Sequence, residues 1–220
     1  MRVVDSYLVR DGAVVALTLH ERRFLASAPG EQFLRLVRGR IPRRGDWFPR
    51  VEWDGRRFTL DIRPAPPLRE STSLWLSTLP DPRTTPTVKG PDLEALAALR
   101  QRAVERGCED AVVVDSNGCL VETANGCLVF WQDASTVVLP AATALPSVTL
   151  AATIALWRGA GIEVVRRNTR HVDLPAWCGS SLHGWTPVTR WGVGGGGITA
   201  APAPPVDRWN EALWSRAEKL

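Results

Sequence analysis

Long apolar runs are missing from this chain of 220 residues. Its longest apolar stretches, such as Ala111–Val114 and Val137–Leu145, fall far short of the roughly 20 residues a bilayer requires. That excludes a helical membrane span, and no membrane partner is expected. The first residues, MRVVDSYLVRDG, interrupt their apolar positions with Asp5, Arg10 and Asp11, so they offer neither the apolar core nor the small-residue cleavage site of a secretory signal. A cytoplasmic protein is therefore expected. Close cysteine pairs are lacking too. Cys108, Cys119, Cys127 and Cys178 contain no C-x-x-C spacing, which argues against zinc or a redox dithiol and fits reduced, structural thiols.

Lysine is almost absent. There are two, Lys89 and Lys219, against 25 arginines. Lys219 lies in the terminal tail, which leaves Lys89 as the interior position where an amine was kept. Lysine differs from arginine chiefly in being able to lose its proton and act as a nucleophile. On composition alone, chance retention of a linker charge explains Lys89 equally well. The net charge of +4 does not point to nucleic acid. Arg35, Arg38, Arg40, Arg43 and Arg44 cluster without interleaved aromatic residues, and Asp46, Glu52 and Asp54 follow at once. No helix-turn-helix or finger pattern accompanies them.

Pattern divides the chain into parts. Residues 2–17 alternate around Arg10-Asp11-Gly12 and predict a hairpin of Val3–Val9 against Ala13–Leu17. Helices are expected over His20–Ala28 and Gly30–Val37, then strands at Val51–Trp53, Phe58–Ile62 and Ser73–Thr78. The stretch LPDPRTTPTVKGP holds four prolines and reads as a linker. After it, Leu93, Leu96, Ala97, Leu99 and Ala103 set one face of a helix over Asp92–Arg106, closed by Gly107. Strands at Ala111–Val114, from Cys119, at Cys127–Gln132 and at Ser135–Leu139 come next. A helix over Val148–Gly159, strands at Ile162–Arg166 and Trp185–Trp191, and a tail helix near Val206–Glu218 complete the reading. The string NGCLV, at Asn117 and again at Asn125, marks two successive turns and not a repeat architecture. The expectation is an α+β chain of two domains: residues 1–80, a linker at 81–88, and an α/β domain over 89–220.

Two tempting motifs carry less. Gly192–Gly197 looks like a phosphate loop, but it follows no buried parallel strand and opens no helix, so a turn is expected there. Ser181, His183 and Asp173 could be assembled into a hydrolase triad, yet no nucleophile elbow surrounds a serine.

Five short motifs occur in a consistent order: His20-Glu21-Arg22-Arg23-Phe24, Lys89-Gly90 before a helix, VVVDSNGCLVET ending around Glu122, LPSVT at Leu145–Thr149, and TPV at Thr186–Val188. Together they resemble the class IV aminotransferases, the fold-type IV pyridoxal phosphate enzymes. That family includes branched-chain and D-amino-acid aminotransferases and aminodeoxychorismate lyase. The resemblance runs from about Asp5 to Val193.

It implies a two-domain fold-type IV architecture, a pyridoxal 5'-phosphate cofactor, and an amino-acid or keto-acid substrate turned over by transamination or by a lyase step. It also implies a homodimer. Lys89 is then the residue that carries the cofactor as a Schiff base and shuttles the substrate α-proton. Glu122 is the carboxylate that keeps the ring nitrogen protonated. Val148 and Thr149 cradle the phosphate at a helix start, Arg23 supplies its counter-charge, and Ser181 a second hydroxyl. The chain also departs from the family: Leu150 stands where an arginine commonly follows the threonine, Cys127 replaces a common asparagine, and Ser147 replaces a glycine. These departures leave open an aminodeoxychorismate-lyase-type elimination, or a non-catalytic homologue that only binds the cofactor or a metabolite.

Overall fold

The computed structural model describes residues 1–220. Its first part assembles two small sheets around one apolar cluster. Strand β1 (Val3–Ser6) is followed by β2 (Val9–Arg10) and β3 (Ala13–Val14), then by helices α1 (Leu17–Leu25) and α2 (Glu31–Arg40). Strands β4 (Asp46–Trp47), β5 (Arg50–Trp53) and β6 (Phe58–Asp61) close this part. The expected N-terminal hairpin forms only at its tip, where Val9 pairs with Val14. β1 leaves it and pairs antiparallel with β5 from Val3↔Trp53 to Ser6↔Arg50. The β5–β6 hairpin offers β1 a four-residue edge, twice the length that β3 could supply. Helix α1 starts at Leu17, three residues before the expected start, because Leu17, His20 and Phe24 form its buried face.

The remaining elements build one large sheet with helices outside it. They are β7 (Thr72–Leu76), α3 (Leu93–Val104), β8 (Asp110–Val114), β9 (Leu120–Thr123), β10 (Cys127–Asp133) and β11 (Thr136–Pro140), then α4 (Val148–Gly159), β12 (Glu163–Arg167), β13 (Ala176–Ser180), β14 (Gly184–Val193) and β15 (Gly196–Thr199), and finally α5 (Asp207–Trp214) and β16 (Glu218–Lys219). The strand order is β12-β11-β10-β13-β14-β7-β8-β9, with β15 on β14. Leu120 from one end of that order shares a buried cluster with Leu128, Phe130 and Val138 from near the other end. The sheet therefore curls into a half-barrel, as sheets of this size must if they are to twist and stay covered.

Two boundaries differ from the sequence expectation. β7, grouped by sequence with residues 1–80, is bonded in parallel to both β14 and β8, so it belongs to the large sheet. The tail helix stops at Trp214, and Glu218–Lys219 returns to pair with β3 in the first part. β13 escapes sequence pattern because it is central: four of its five residues are buried, which erases the alternation of a half-exposed strand. Gly194 and Gly195 turn the β14–β15 hairpin, with Gly194 at φ 56°. No helix is long and apolar enough to cross a membrane.

Outside the sheet, α4 and α5 cover a cluster rich in tryptophan. Trp157 on α4 has no exposed surface and meets Trp131, Trp177, Trp185 and Trp209 at centroid distances of 5.5 to 6.3 Å. Trp185 Nε1 donates to Thr153 Oγ1 at 2.8 Å, and Thr153 Oγ1 donates to the Thr149 carbonyl at 2.7 Å. The core is thereby tied to the first turn of α4. Truncating Trp157 to alanine should cost about 3–5 kcal/mol, read as a lower urea midpoint. A loss under about 1 kcal/mol would show that the cluster repacks around the gap.

Candidate active site

Where the first part meets the half-barrel, a cleft of about 690 Å³, partly open to solvent, collects residues from both. Arg23, Lys89, Glu122, Val148, Thr149 and Ser181 all line it. The six residues named from sequence thus come together, though they span 159 positions of the chain, from residue 23 to residue 181.

Lys89 ends the proline-rich segment, and its carbonyl accepts the Val4 N–H at 2.7 Å. The following Gly90 has φ 152°, and a side chain there would meet the Arg2 carbonyl at 2.2 Å. Only glycine lets the backbone of β1 lie this close, so Lys89-Gly90 is fixed against β1. Burial, and next the charge of Arg23, hold the Lys89 ammonium below its ordinary range, against the opposing pull of Asp5 and Glu122. An amine so placed gives up its proton more readily than a surface lysine.

Arg23 sits in the last turn of α1. It forks onto Asp5, with Nε to Oδ2 at 3.1 Å and Nη2 to Oδ1 at 2.6 Å, and its Nη1 donates to the Pro146 carbonyl at 3.1 Å. Asp5 is 1% exposed and also takes His20 Nδ1 at 3.1 Å. A carboxylate only accepts, so the ring proton lies on Nδ1. Burial opposes ionisation of Asp5, yet His20 and Arg23 hold it well below the usual carboxylate range. Burial likewise lowers His20, which stays neutral. Arg22, one position away, is exposed.

Beside Pro146, Ser147 caps α4: its Oγ accepts the Leu150 N–H at 3.2 Å. The N–H groups of Val148 and Thr149, in the first turn, have no acceptor within the helix. They make the start of α4 electropositive toward the cleft. Leu150 adds no charge and packs against the tryptophan cluster. Ser181 reaches the cleft, but its hydroxyl donates to the Ser6 carbonyl at 2.8 Å while its carbonyl accepts the Leu8 N–H at 3.1 Å. It braces the β13–β14 loop against the first part.

Glu122 lies on the fully buried strand β9. Burial raises it to about 7, although Arg83 and the Leu145 N–H act to lower it. Cys127 beside it is pushed up to about 12 by burial and is inert as a nucleophile. Sequence reasoning missed Arg83, Asp81 and Asp92, which lie in or next to the linker, where no periodicity exists to interpret. Asp5 did leave a signal. A single acid inside the apolar strand VVDSYLV must be paired if the strand is buried.

A second cavity of about 1090 Å³, partly open, shares Val148, Thr149, Ser180 and Ser181 with the first. His183 lines it, accepts the Arg69 N–H at 3.2 Å and is held neutral, near 4, mainly by burial. Asp173 is exposed, and no contact joins it to His183 or Ser181. No group of metal-ligating side chains is present.

A family model described as amino-transferase class IV matches residues 43–191. Among solved structures, the fold is similar to that of a Legionella pneumophila protein described as a candidate 4-amino-4-deoxychorismate lyase (TM-score 0.80, 15% identity, covering 96% of this chain and 90% of that one). It is also similar to the PLP-bound form of a hypothetical aminotransferase from Mycobacterium tuberculosis (TM-score 0.77, 18% identity, 97% and 87% covered). The branched-chain amino acid aminotransferase of Escherichia coli gives a TM-score of 0.79 at 20% identity, with 98% and 84% covered. No curated protein sequence matches the chain.

Replacing Asp5 by asparagine leaves the largely buried Arg23 guanidinium without its counter-ion, a change that costs up to about 3–5 kcal/mol when both partners are fully buried. Because the folded Asp5 titrates below its unfolded value, its contribution is complete above about pH 4 and is lost as the pH falls further. Denaturation midpoints of wild type and Asp5→Asn should therefore differ widely at pH 7, begin to narrow only below about pH 4, and still differ clearly at pH 3, because the folded carboxyl titrates well below the usual range. A constant difference would remove the ion pair as the cause.

Proposed function

Because the chain belongs to the class IV aminotransferases, a family of pyridoxal-phosphate-dependent enzymes of transaminase and lyase type, we propose that the cleft beside Lys89 is where cofactor and an amino-acid substrate meet. The observation that supports this most is the donor set. One wall presents a single amine with a lowered pKa, another a buried carboxylate, and the end nearest α4 presents free N–H groups beside an arginine. These residues fit the group: Lys89 for its aldehyde, Glu122 for its ring nitrogen, and Val148, Thr149 and Arg23 for its phosphate. When bound, pyridoxal phosphate supplies an aldehyde that takes up amino groups and a ring that accepts the electron pair left when a bond at the substrate α-carbon breaks.

The chain's own residues do the rest. The lowered pKa of Lys89 leaves more of its Nζ unprotonated near neutrality, which suits both nucleophilic attack and carriage of the α-proton. Glu122 can hold a proton between itself and a basic nitrogen, since burial brings it to about 7. The first turn of α4 and Arg23 hold a dianion without help from residue 150. Gly90 and the Val4–Lys89 hydrogen bond keep the amine's backbone from drifting.

Transamination of an amino acid against a keto acid is the primary reading. An elimination on aminodeoxychorismate is the second, favoured by the likeness to the Legionella pneumophila structure. Both would use Lys89 and Glu122. A two-domain division near the start of β7 belongs to the same proposal, as do a homodimer and a cytoplasmic location, with the family resemblance as their support.

Titration of the cofactor-free protein with pyridoxal phosphate tests the phosphate end. A charge-assisted arginine contact contributes roughly 1.5–3 kcal/mol, against about 1 for a neutral hydrogen bond. Arg23→Ala should weaken binding about tenfold or more, whereas Arg22→Ala should leave it within about twofold. Equal behaviour would mean that the first part does not hold the phosphate. For turnover, wild type should transfer amino groups in a panel of amino and keto acids, or release pyruvate from aminodeoxychorismate. Glu122→Gln should lower that rate at least tenfold, about 1.4 kcal/mol in the barrier. Cofactor binding with no turnover of any member would favour the non-catalytic homologue.

A further inference from the structure

Arg83 lies outside the five motifs read from the sequence, yet its side chain is 4% exposed and reaches the cleft wall. It is gripped from two sides. Asp81 takes Nε at 2.9 Å and Nη2 at 2.6 Å, and Nη1 donates to Glu122 Oε1. Next to it, Asp92 at the start of α3 accepts the Thr84 N–H at 2.9 Å, the Thr84 hydroxyl at 2.7 Å and the Thr85 N–H at 2.8 Å. The proline-rich segment that sequence reads as a linker is thus pinned by two acids, and the pinning delivers a guanidinium to Glu122.

A carboxylate accepts at about four lone-pair positions. Here Arg83 occupies Oε1, and the Leu145 N–H approaches Oε2 at 3.2 Å. A buried acid without such partners stays protonated, and a neutral carboxyl lacks the negative charge that accepts and stabilises the N–H of a protonated ring nitrogen. Resting on the reading of the cleft given above, the geometry points to Arg83 as a positioning residue: clamped by Asp81, it favours the carboxylate form of Glu122 and turns it so that Oε2 keeps a lone pair for the cofactor's ring nitrogen.

The groups acting on Glu122 are few. Arg83 and Lys89 favour its charge, the Leu145 N–H bonds it, and Cys127 is a neutral neighbour. Asp81 and Asp92 act on it through Arg83. Removing Arg83 takes away the foremost of the influences opposing burial, so the carboxyl moves further up from its position near 7.

The test uses cofactor-free protein, with the Glu122 carboxyl stretch followed by infrared difference spectroscopy against pH and assigned by its disappearance in Glu122→Gln. Wild type should titrate near neutrality. Arg83→Met should raise that midpoint by about one pH unit or more, and Arg83→Lys should bring it most of the way back. If the Met variant does not fold, Arg83→Gln, which retains donors without charge, should show the same upward shift. With substrate and cofactor, the acid limb of the rate profile should move up in parallel. An unmoved carboxyl midpoint in the neutral variants would overturn the role of Arg83 while leaving the cleft's function standing. Failure of wild type to bind pyridoxal phosphate would overturn the function instead, whatever the carboxyl does.

Discussion

Asp5 is the constraint on which the cleft depends. A carboxylate buried on a strand between apolar neighbours must find cations or donors, and here it finds Arg23 and His20 on α1. The same guanidinium reaches the Pro146 carbonyl just ahead of α4. One buried charge therefore sets the distance between the first part and the half-barrel at the point where a dianion would sit. β1, which carries Asp5, also holds Lys89 through the Val4 N–H. Amine and guanidinium are positioned by neighbouring residues of a single strand, and their mutual repulsion helps lower the lysine.

At the opposite wall the logic is repeated with the charges reversed. Glu122 is the buried acid, and Arg83, steadied by Asp81, is the cation that keeps it usable. Removing an ion from water is costly unless it is paired, and Arg23 and Glu122 each have a partner drawn from a distant segment, Asp5 and Arg83. Leu150 packs against the tryptophan cluster instead of offering a charge, and Cys127 packs against Gly179 as a buried thiol.

The motif residues were legible in the sequence because each is tied to a local structure with its own signature. Lys89 precedes a glycine and a strong helix, Glu122 follows a turn into an apolar strand, and Thr149 opens a helix whose observed span is the expected one. Their convergence was not legible from spacing, only from the family resemblance. The partners stayed hidden for a different reason. Arg83 and Asp92 act across an irregular segment, and the pairing of β7 with β14 joins residues more than 110 positions apart. β13 has no exposed face to set a period. Long-range pairing and central burial leave no trace in local pattern, so the membership of β7 in the large sheet was not legible.

Everything proposed for the cleft turns on Lys89 being the amine to which pyridoxal phosphate attaches. Borohydride reduction of the protein saturated with pyridoxal phosphate, followed by peptide mass mapping, tests it most directly. One stable mass addition per chain is expected, on the peptide containing Lys89 and absent in Lys89→Arg, with Lys219 unmodified. A reduced adduct on Lys219 or the N-terminal amine alone, or none at saturation, would contradict it.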